Sequence, residues 1–268
     1  MPSKMRNHRG PRAASGFSLV ELMVALVAGL IVSGAVLAFT LSSLRVNSEY
    51  VRSTRLTTEL RNSLSAITED LRRAGYDEDA MNFVARPAGF TGFSPFSSIS
   101  IDNPGASNGC IIYAYDRMPA NPGQLDLSNG ELRAFRRVQR TVNGQSVGVI
   151  EFAESFGTTA PDCDDAGPNY ATYPPTCNSG TGWCALSDPR TVDITSLSFN
   201  RPTAGFFTQP GTSGNPGLQL REIAVDIQGR LLGNDADPIQ RGVNAVVRVR
   251  ADCIRTNPGS NCTQAPSP

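Results

Sequence analysis

Residues 16–41 read GFSLVELMVALVAGLIVSGAVLAFTL, and this stretch decides the fold of the 268-residue chain. The 25 residues from Phe17 to Leu41 carry a single charge, on Glu21. A helix rises about 1.5 Å per residue, so this run spans roughly 37 Å, enough to cross a bilayer core of about 30 Å. The stretch therefore predicts a helix that lies in a membrane or against other apolar helices.

The residues before this helix are basic. The segment 1–16 carries four cations and no acid, the cations being Lys4, Arg6, Arg9 and Arg12. The positive-inside rule keeps such a flank in the cytoplasm and places the rest of the chain outside. A removable secretory signal is the weaker interpretation, because the apolar run exceeds the usual core of about 7–15 residues and contains a carboxylate. A plain anchor has no use for Glu21, since a charge on a membrane helix is costly. Glu21 therefore predicts a partner.

The helix is expected to continue beyond the apolar run as an amphipathic segment, residues 42–75. Apolar side chains recur there at steps of four, four, three and four, at Leu56, Leu60, Leu64, Ile67 and Leu71. That spacing forms one helical stripe, and we expect it to lie under a β-sheet. Gly75 follows two arginines and is a plausible helix stop.

The composition excludes several classes of function. The chain has 24 basic and 24 acidic residues, and its only His and only Lys are His8 and Lys4. Removal of residues 1–16 leaves neither, with a net charge of −4. We therefore expect no catalytic residues, no metal site, no cofactor and no direct nucleic-acid binding.

Residues 76–268 are expected to form a β-rich head with long Gly- and Pro-rich loops. The candidate strands are Cys110–Tyr115, Glu131–Gln139, Ser146–Glu154, Thr191–Asn200, Leu218–Leu231 and Val243–Asp252. The last two should pair as an antiparallel hairpin, and the phase of apolar residues changes within Thr191–Asn200, which favours a bulge. The prediction is an α+β fold, a long helix packed on an antiparallel sheet, with a strand-poor insert at 155–190.

Four groups of charged and polar residues are interpreted as structural. Arg133, Arg136, Arg137 and Arg140 form a basic patch that we expect to be a solvated or interface surface, and the acidic cluster Asp162, Asp164 and Asp165 a solvated loop. Asn234, Asp235 and Asp237 lack the spacing of a calcium loop, so a turn is expected. Glu151 and Glu154 should face opposite sides of their strand.

The N-terminal motif resembles a known family. Gly16-Phe17-Ser18-Leu19-Val20-Glu21, after a basic segment and before a long apolar helix, is similar to the leader of type IV pilins and type II secretion pseudopilins. The resemblance implies cleavage between Gly16 and Phe17 by prepilin peptidase and N-methylation of Phe17. It also implies that Glu21 meets a Phe17 amine, its own or a neighbour's, in the filament core and so selects one axial register.

The segment Asp70-Leu71-Arg72-Arg73-Ala74-Gly75-Tyr76 is similar to the end of this helix in minor pilins of the PilW type. That resemblance implies a pilin-like fold and a place in the type IV pilus, priming or capping its assembly in support of twitching motility, adhesion or DNA uptake. The implied partners are prepilin peptidase, other minor pilins, the major pilin and the inner-membrane assembly platform. The chain would sit in the inner membrane as a single-pass protein with a periplasmic head, and later in the pilus at the cell surface.

Six cysteines follow the anchor, at Cys110, Cys163, Cys177, Cys184, Cys253 and Cys262. An exported head meets an oxidising compartment, so an even count favours disulfides, although sequence cannot choose among the pairings. We favour Cys253–Cys262, which resembles the C-terminal disulfide loop of type IV pilins in its place. Two of the three cysteines in the insert should pair with each other, leaving the third for Cys110.

Two other functions remain open. A minor pseudopilin of a type II secretion system has the same leader, which cannot separate the two systems. A stand-alone membrane-anchored binding protein or adhesin would keep its leader uncut and stay in the membrane.

Overall fold

The structure, a computed structural model, describes residues 16, 18–81, 94–117, 124–201, 207–208, 217–233 and 239–255. For 207–208, 217–219 and 253–255 it describes the backbone alone. The chain divides into two compact units, Met1–Val51 and Arg52–Pro268. The second unit contains the amphipathic end of the helix together with the β-rich head.

A single helix, α1, runs over Leu19–Leu71. Its first turn is closed by the amide of Leu22, which donates to the carbonyl of Ser18 at 3.1 Å. The helix ends four residues before Gly75, which has a φ of +77° and donates its amide to the carbonyl of Ala114 at 2.7 Å. A Cβ at Gly75 would lie 2.4 Å from the guanidinium of Arg221. Gly75 is therefore required both by its left-handed backbone and by this close approach.

The described part of the head contains eleven strands in three antiparallel sheets. They are β1 (Ile99–Asp102), β2 (Cys110–Ala114), β3 (Leu132–Val142), β4 (Gln145–Glu154), β5 (Trp183–Ala185), β6 (Val192–Asn200), β7 (Phe207–Thr208), β8 (Gly217–Gln219), β9 (Glu222–Leu231), β10 (Gln240–Arg248) and β11 (Cys253–Arg255). The sheet orders are β1-β2-β3-β4-β5, β10-β9-β6 and β11-β8-β7. The α+β architecture expected from the sequence is therefore confirmed.

Several strands differ from their predicted bounds. The predicted strand Leu218–Leu231 is divided at Arg221 into β8 and β9, because the buried guanidinium of Arg221 donates to the carbonyls of Ser97 and Ala251. Burial lowers the pKa of Arg221 to about 10. The predicted strand Val243–Asp252 likewise begins and ends earlier, as β10. Four strands, β1, β5, β7 and β11, were not predicted, because they are too short to show an alternating pattern.

Two local predictions for the second sheet are confirmed. Strands β9 and β10 pair as an antiparallel hairpin, with Gln240 opposite Arg230 and Arg248 opposite Glu222. The register of β6 against β9 shifts between Ile194 and Ser196, which is the predicted bulge.

The predicted helical stripe forms the centre of the core of the second unit. Leu56, Leu60, Ile67 and Leu71 are fully buried, and Leu64 packs partly buried against them. The first sheet supplies Tyr113, Phe135 and Ile150 to this core, and the second supplies Leu197, Phe199, Val225, Ile227 and Val247, among others. Each buried aliphatic or aromatic side chain of this size contributes about 1.5–3 kcal/mol relative to exposure. Packing on both sheets therefore stabilises this part of the helix.

A tight turn at Asn143 and Gly144 sets the register of β3 against β4. Both residues have positive φ, +50° and +78°, as the favoured two-residue hairpin turns require. The turn places Val142 opposite Gln145, and the same register places Arg136 opposite Glu151 and Arg133 opposite Glu154. Two ion pairs across the strands follow from this single turn.

The prediction of a solvated or interface surface for the four arginines is wrong. The side chain of Arg136 is 2% exposed and that of Glu151 is fully buried, with Nη2 of Arg136 at 2.8 Å from Oε2 of Glu151. Arg140 also donates to the carboxylate of Glu151, at 2.8 and 3.0 Å. The hydroxyl of Tyr170 donates to the same carboxylate at 3.0 Å. Arg136 is buried and the other three arginines are half-buried. Their partners lie on other elements of the fold, which spacing along one strand does not reveal.

The insert 155–190 covers this buried ion cluster. A disulfide joins Cys163 to Cys110 of β2, and a second joins Cys177 to Cys184 within the insert, which matches the expected arrangement for these four cysteines. The guanidinium of Arg136 donates to the carbonyl of Cys163 at 2.8 Å and lies 3.8 Å from the ring centroid of Trp183. The insert is therefore fixed to the sheet by a disulfide, hydrogen bonds and a cation–π contact.

Several predicted features lie outside the described residues. Cys262 and the segment 234–238 belong to that group, and of Cys253 only the backbone, in β11, is described. The exposed loop prediction for Asp162 and Asp164 is confirmed.

Glu151→Gln should lower the free energy of unfolding by about 3–5 kcal/mol, because it leaves the buried charge of Arg136 without its counter-charge. Urea unfolding of the full chain in detergent, followed by the fluorescence of its one tryptophan, Trp183, measures this change. Glu78→Gln alters an exposed side chain and serves as the control, with an expected effect within about 0.5 kcal/mol. Equal effects of the two substitutions would contradict the account of the buried cluster.

Candidate functional site

The predicted processing site lies just before α1. Gly16 is exposed, and a Cβ built there meets no atom within 4 Å. The fold of the described chain therefore does not require glycine at this position. Phe17, the predicted new N-terminus and methylation site, lies outside the described residues. The roles of Gly16 and Phe17 remain predictions.

The first part of α1 exposes an apolar surface all round. Every described residue from Ser18 to Val51 is exposed, including Leu19 at 74%, Leu30 at 65% and Phe39 at 76%. The helix is long and apolar enough to cross a membrane, with a mean hydropathy of 2.6 over its most apolar window. Contiguous apolar surface of this extent is typical of a membrane or assembly interface. Lipid or other helices are needed to cover it.

Glu21 is the acidic residue of the first helical turn. It is exposed, and no described residue of the chain forms an ion pair with it. The helix dipole favours a negative charge at the helix N-terminus, typically by about 0.3–1 kcal/mol. That free energy is enough to orient the carboxylate but too small to offset the cost of burying it in apolar surroundings. If this part of the helix is buried, Glu21 needs a cation from elsewhere.

A second cluster fixes the other end of α1 to the first sheet. Asp70 accepts hydrogen bonds from the hydroxyls of Tyr113 and Tyr115, the latter at 2.9 Å, and from Nη1 of Arg133 at 2.9 Å. Arg133 also pairs with Glu154, which in turn pairs with Arg117 at 3.2 Å. The side chains of Asp70 and Arg133 are 12% and 14% exposed. One helical carboxylate is thus held by donors from two strands.

The environment of this cluster keeps both tyrosines protonated. Burial raises the pKa of Tyr113 well above its ordinary value, and the negative charge of Asp70 raises it further. The pKa of Tyr115 is raised for the same two reasons, while the cation of Arg133 opposes the shift. Both hydroxyls therefore remain hydrogen-bond donors to Asp70 at physiological pH.

The cluster around Asp70 was not predicted from the sequence, although the pairing of Arg133 with Glu154 could have been inferred. The two-residue turn at Asn143 and Gly144 fixes Arg133 opposite Glu154, as described above. Asp70 carries no such signal, because its partners are 43 to 63 residues away in the chain. Among the described residues, no group of three His, Cys, Asp or Glu side chains is arranged to hold a metal ion.

Two protein families match the chain. The family described as Prepilin peptidase-dependent protein B matches residues 49–249, and the Prokaryotic N-terminal methylation motif matches residues 11–37. The first match covers more than half of the chain, including the end of α1 and the strands up to β10. The second covers Gly16, Phe17 and Glu21.

Comparison with individual proteins adds one solved structure. A type IV-like pilin from Thermus thermophilus is similar at 10% sequence identity and a TM-score of 0.39, over 73% of this chain and 97% of that one. No curated protein matches the chain at a significant level.

Asp70→Asn should lower the free energy of unfolding by about 1.5–3 kcal/mol, because the charged hydrogen bonds from Arg133 and the tyrosines are weakened. The neighbouring Glu69→Gln is the matched control, since Glu69 is exposed and bonded only to the Ser65 hydroxyl in the described chain. Its effect should stay within about 0.5 kcal/mol. Urea unfolding of both variants tests the difference, and an Asp70→Asn protein as stable as the control would refute the role given to Asp70.

Proposed function

The chain belongs to the prepilin peptidase-dependent protein B family, and we propose that it is a minor pilin of the PilW type that enters a type IV pilus. In this proposal it primes or caps pilus assembly and supports twitching motility, adhesion or DNA uptake. Its role is structural, without catalysis and without direct binding of nucleic acid. The observation that carries the proposal is a single charge, Glu21, near the start of an exposed apolar helix that follows a basic leader.

The proposal explains why the helix begins with the sequence Gly16-Phe17-Ser18-Leu19-Val20-Glu21. Prepilin peptidase cuts before Phe17 on the cytoplasmic side, which creates a new amine four residues before Glu21. Methylation keeps that amine basic. When the apolar helices leave the membrane and pack together, the carboxylate of Glu21 is tolerated only where an amine meets it. Incorrect axial registers leave the charge uncompensated and are rejected.

The proposal also gives each part of the chain a place. The segment 1–16 is the leader, 17–41 is the membrane and filament-core helix, 42–75 continues it, and 76–268 is the exported head. Before assembly the protein is a single-pass inner-membrane protein with its head in the periplasm. Afterwards it lies in the pilus at the cell surface, with other minor pilins and the major pilin as neighbours. The inner-membrane platform drives the transfer.

Glu21→Gln should reduce incorporation into filaments by about tenfold or more, since loss of a pairing free energy of about 1.4 kcal/mol corresponds to a factor of ten. The readout is the ratio of the chain in sheared surface filaments to the chain in membranes. Glu78→Gln alters an exposed acid outside the N-terminal helix and is the control, with an unchanged ratio expected. An unchanged ratio for Glu21→Gln would refute the assembly role.

The same assay distinguishes a type IV pilus from a type II secretion system as the assembly that contains the chain. If the chain is a minor pilin, deleting the pilus assembly platform removes it from sheared filaments, whereas deleting the type II secretion platform does not. The reverse result identifies a minor pseudopilin, which has the same leader. A stand-alone anchored adhesin would stay in membranes in both deletions with its leader uncut.

A further inference from the structure

A groove runs beside α1 over the first sheet of the second unit. It consists of two clefts, of about 250 and 620 Å³, which share Phe152. The smaller cleft lies against the helix at Ala66, Glu69 and Arg73, and the larger one extends to Phe156 and the Cys177–Cys184 disulfide. The helix thus forms one wall and the disulfide-bonded hairpin the other.

The floor of this groove is apolar, whereas its helical wall is charged. Phe135, Phe152 and Leu186 line the floor of the smaller cleft, and Phe156, at the far end, is 39% exposed. On the wall, Glu69 of α1 and Arg73 of the turn that follows the helix are both exposed, and both line the smaller cleft. An apolar floor beside an ordered pair of opposite charges fits an amphipathic helix.

We propose that the groove receives a helix of a neighbouring pilin-type subunit, lying parallel to α1. The chemistry required of that helix is an apolar stripe flanked by a cation and, four residues later, an acid. The segment 41–51 of this chain illustrates such a helix. Leu41, Leu44 and Val51, with the small polar Ser48 between them, are spaced by three, four and three residues and so form one stripe. Both leucines are 60% exposed. Arg45 and Glu49 lie beside that stripe.

The order of the charges fixes the direction of the docked helix. On the groove wall the acid, Glu69, precedes the base, Arg73, whereas on the example segment the base, Arg45, precedes the acid, Glu49. Both pairs have a spacing of four residues. A parallel helix therefore sets Arg45 against Glu69 and Glu49 against Arg73, while an antiparallel helix sets like charges together. Subunits anchored in one membrane through their N-terminal helices also have parallel helices, which agrees with this direction.

The polar groups of the groove favour a protein helix over a small polar ligand such as a saccharide. The carboxylate of Glu154 already accepts from Arg117 and Arg133. The side chain of Asn178 makes hydrogen bonds to Ala166, Gly167, Gly180 and Thr181, which uses its capacity. Few polar groups of the rim remain for hydroxyls. Glu69 and Arg73 each have one hydrogen-bond partner in the described chain, Ser65 and Tyr115, but both remain exposed to a charged partner beside the apolar floor.

Photo-crosslinking in cells that assemble filaments tests the proposal, which rests on the proposed function. p-Benzoylphenylalanine replaces Phe152 in the full chain, and a second variant carries it at Ala66 in case the first fails to fold. The control places it at Gln228, an exposed position on the second sheet. Crosslinked peptides from sheared filaments are mapped by mass spectrometry. The expected adduct joins position 152 or 66 to the N-terminal helix of a second copy or of another processed pilin.

A charge exchange tests the predicted direction of the docked helix. Glu69→Arg combined with Arg73→Glu keeps the composition of the wall and reverses its order, so it should reduce the adduct by about fivefold or more. The adduct is normalised to the amount of chain in the filaments, so that a loss of stability from the missing Arg73–Tyr115 hydrogen bond is not counted as a loss of docking.

The outcomes distinguish this proposal from the proposed function. A chain present in filaments that gives no adduct, an adduct to a β-rich head, a non-protein adduct, or an adduct insensitive to the charge exchange overturns the groove proposal alone. A chain absent from filaments overturns the proposed function and the groove proposal with it.

Discussion

The apolar surface of the first part of α1 is the constraint on which the rest of the account depends. Side chains such as Leu19 and Phe39 remain largely exposed, and in water each would forgo about 1.5–3 kcal/mol of burial. A bilayer covers this apolar surface, and so does a bundle of similar helices. Transfer of the helix from one environment to the other is therefore feasible. Glu21 distinguishes these environments, because it needs a cation wherever water is excluded.

The head is organised around the second half of the same helix. Its stripe from Leu56 to Leu71 fills the core, and Asp70 fixes its end to two strands. On the other face of the first sheet, the Arg136–Glu151 pair and the Cys110–Cys163 disulfide hold the insert in place. A helix whose second half is packed into the head and whose first half is exposed is suited to a subunit that assembles through its helix.

The sequence predicted the parts of the fold that depend on local periodicity. The helix, its buried stripe, its end near Gly75 and the β9–β10 hairpin all produce regular patterns within a few residues. The short strands β1, β5, β7 and β11 produce none. The buried arginines were misjudged because charge alone indicated exposure, yet the turn at Asn143 and Gly144 contains the register that pairs Arg136 with Glu151. Asp70 and its tyrosines depend on tertiary contacts and could not be found locally.

The most direct test of the central claim is mass spectrometry of the N-terminal peptide, from cells with and without prepilin peptidase. The account predicts a peptide that begins at N-methylated Phe17 and disappears when the peptidase is absent. A leader that remains uncut in cells with the peptidase, or a mature chain that begins at Val36 or later, would contradict it. In either case Glu21 would have no new amine to meet, and the chain would be an anchored or freely exported domain.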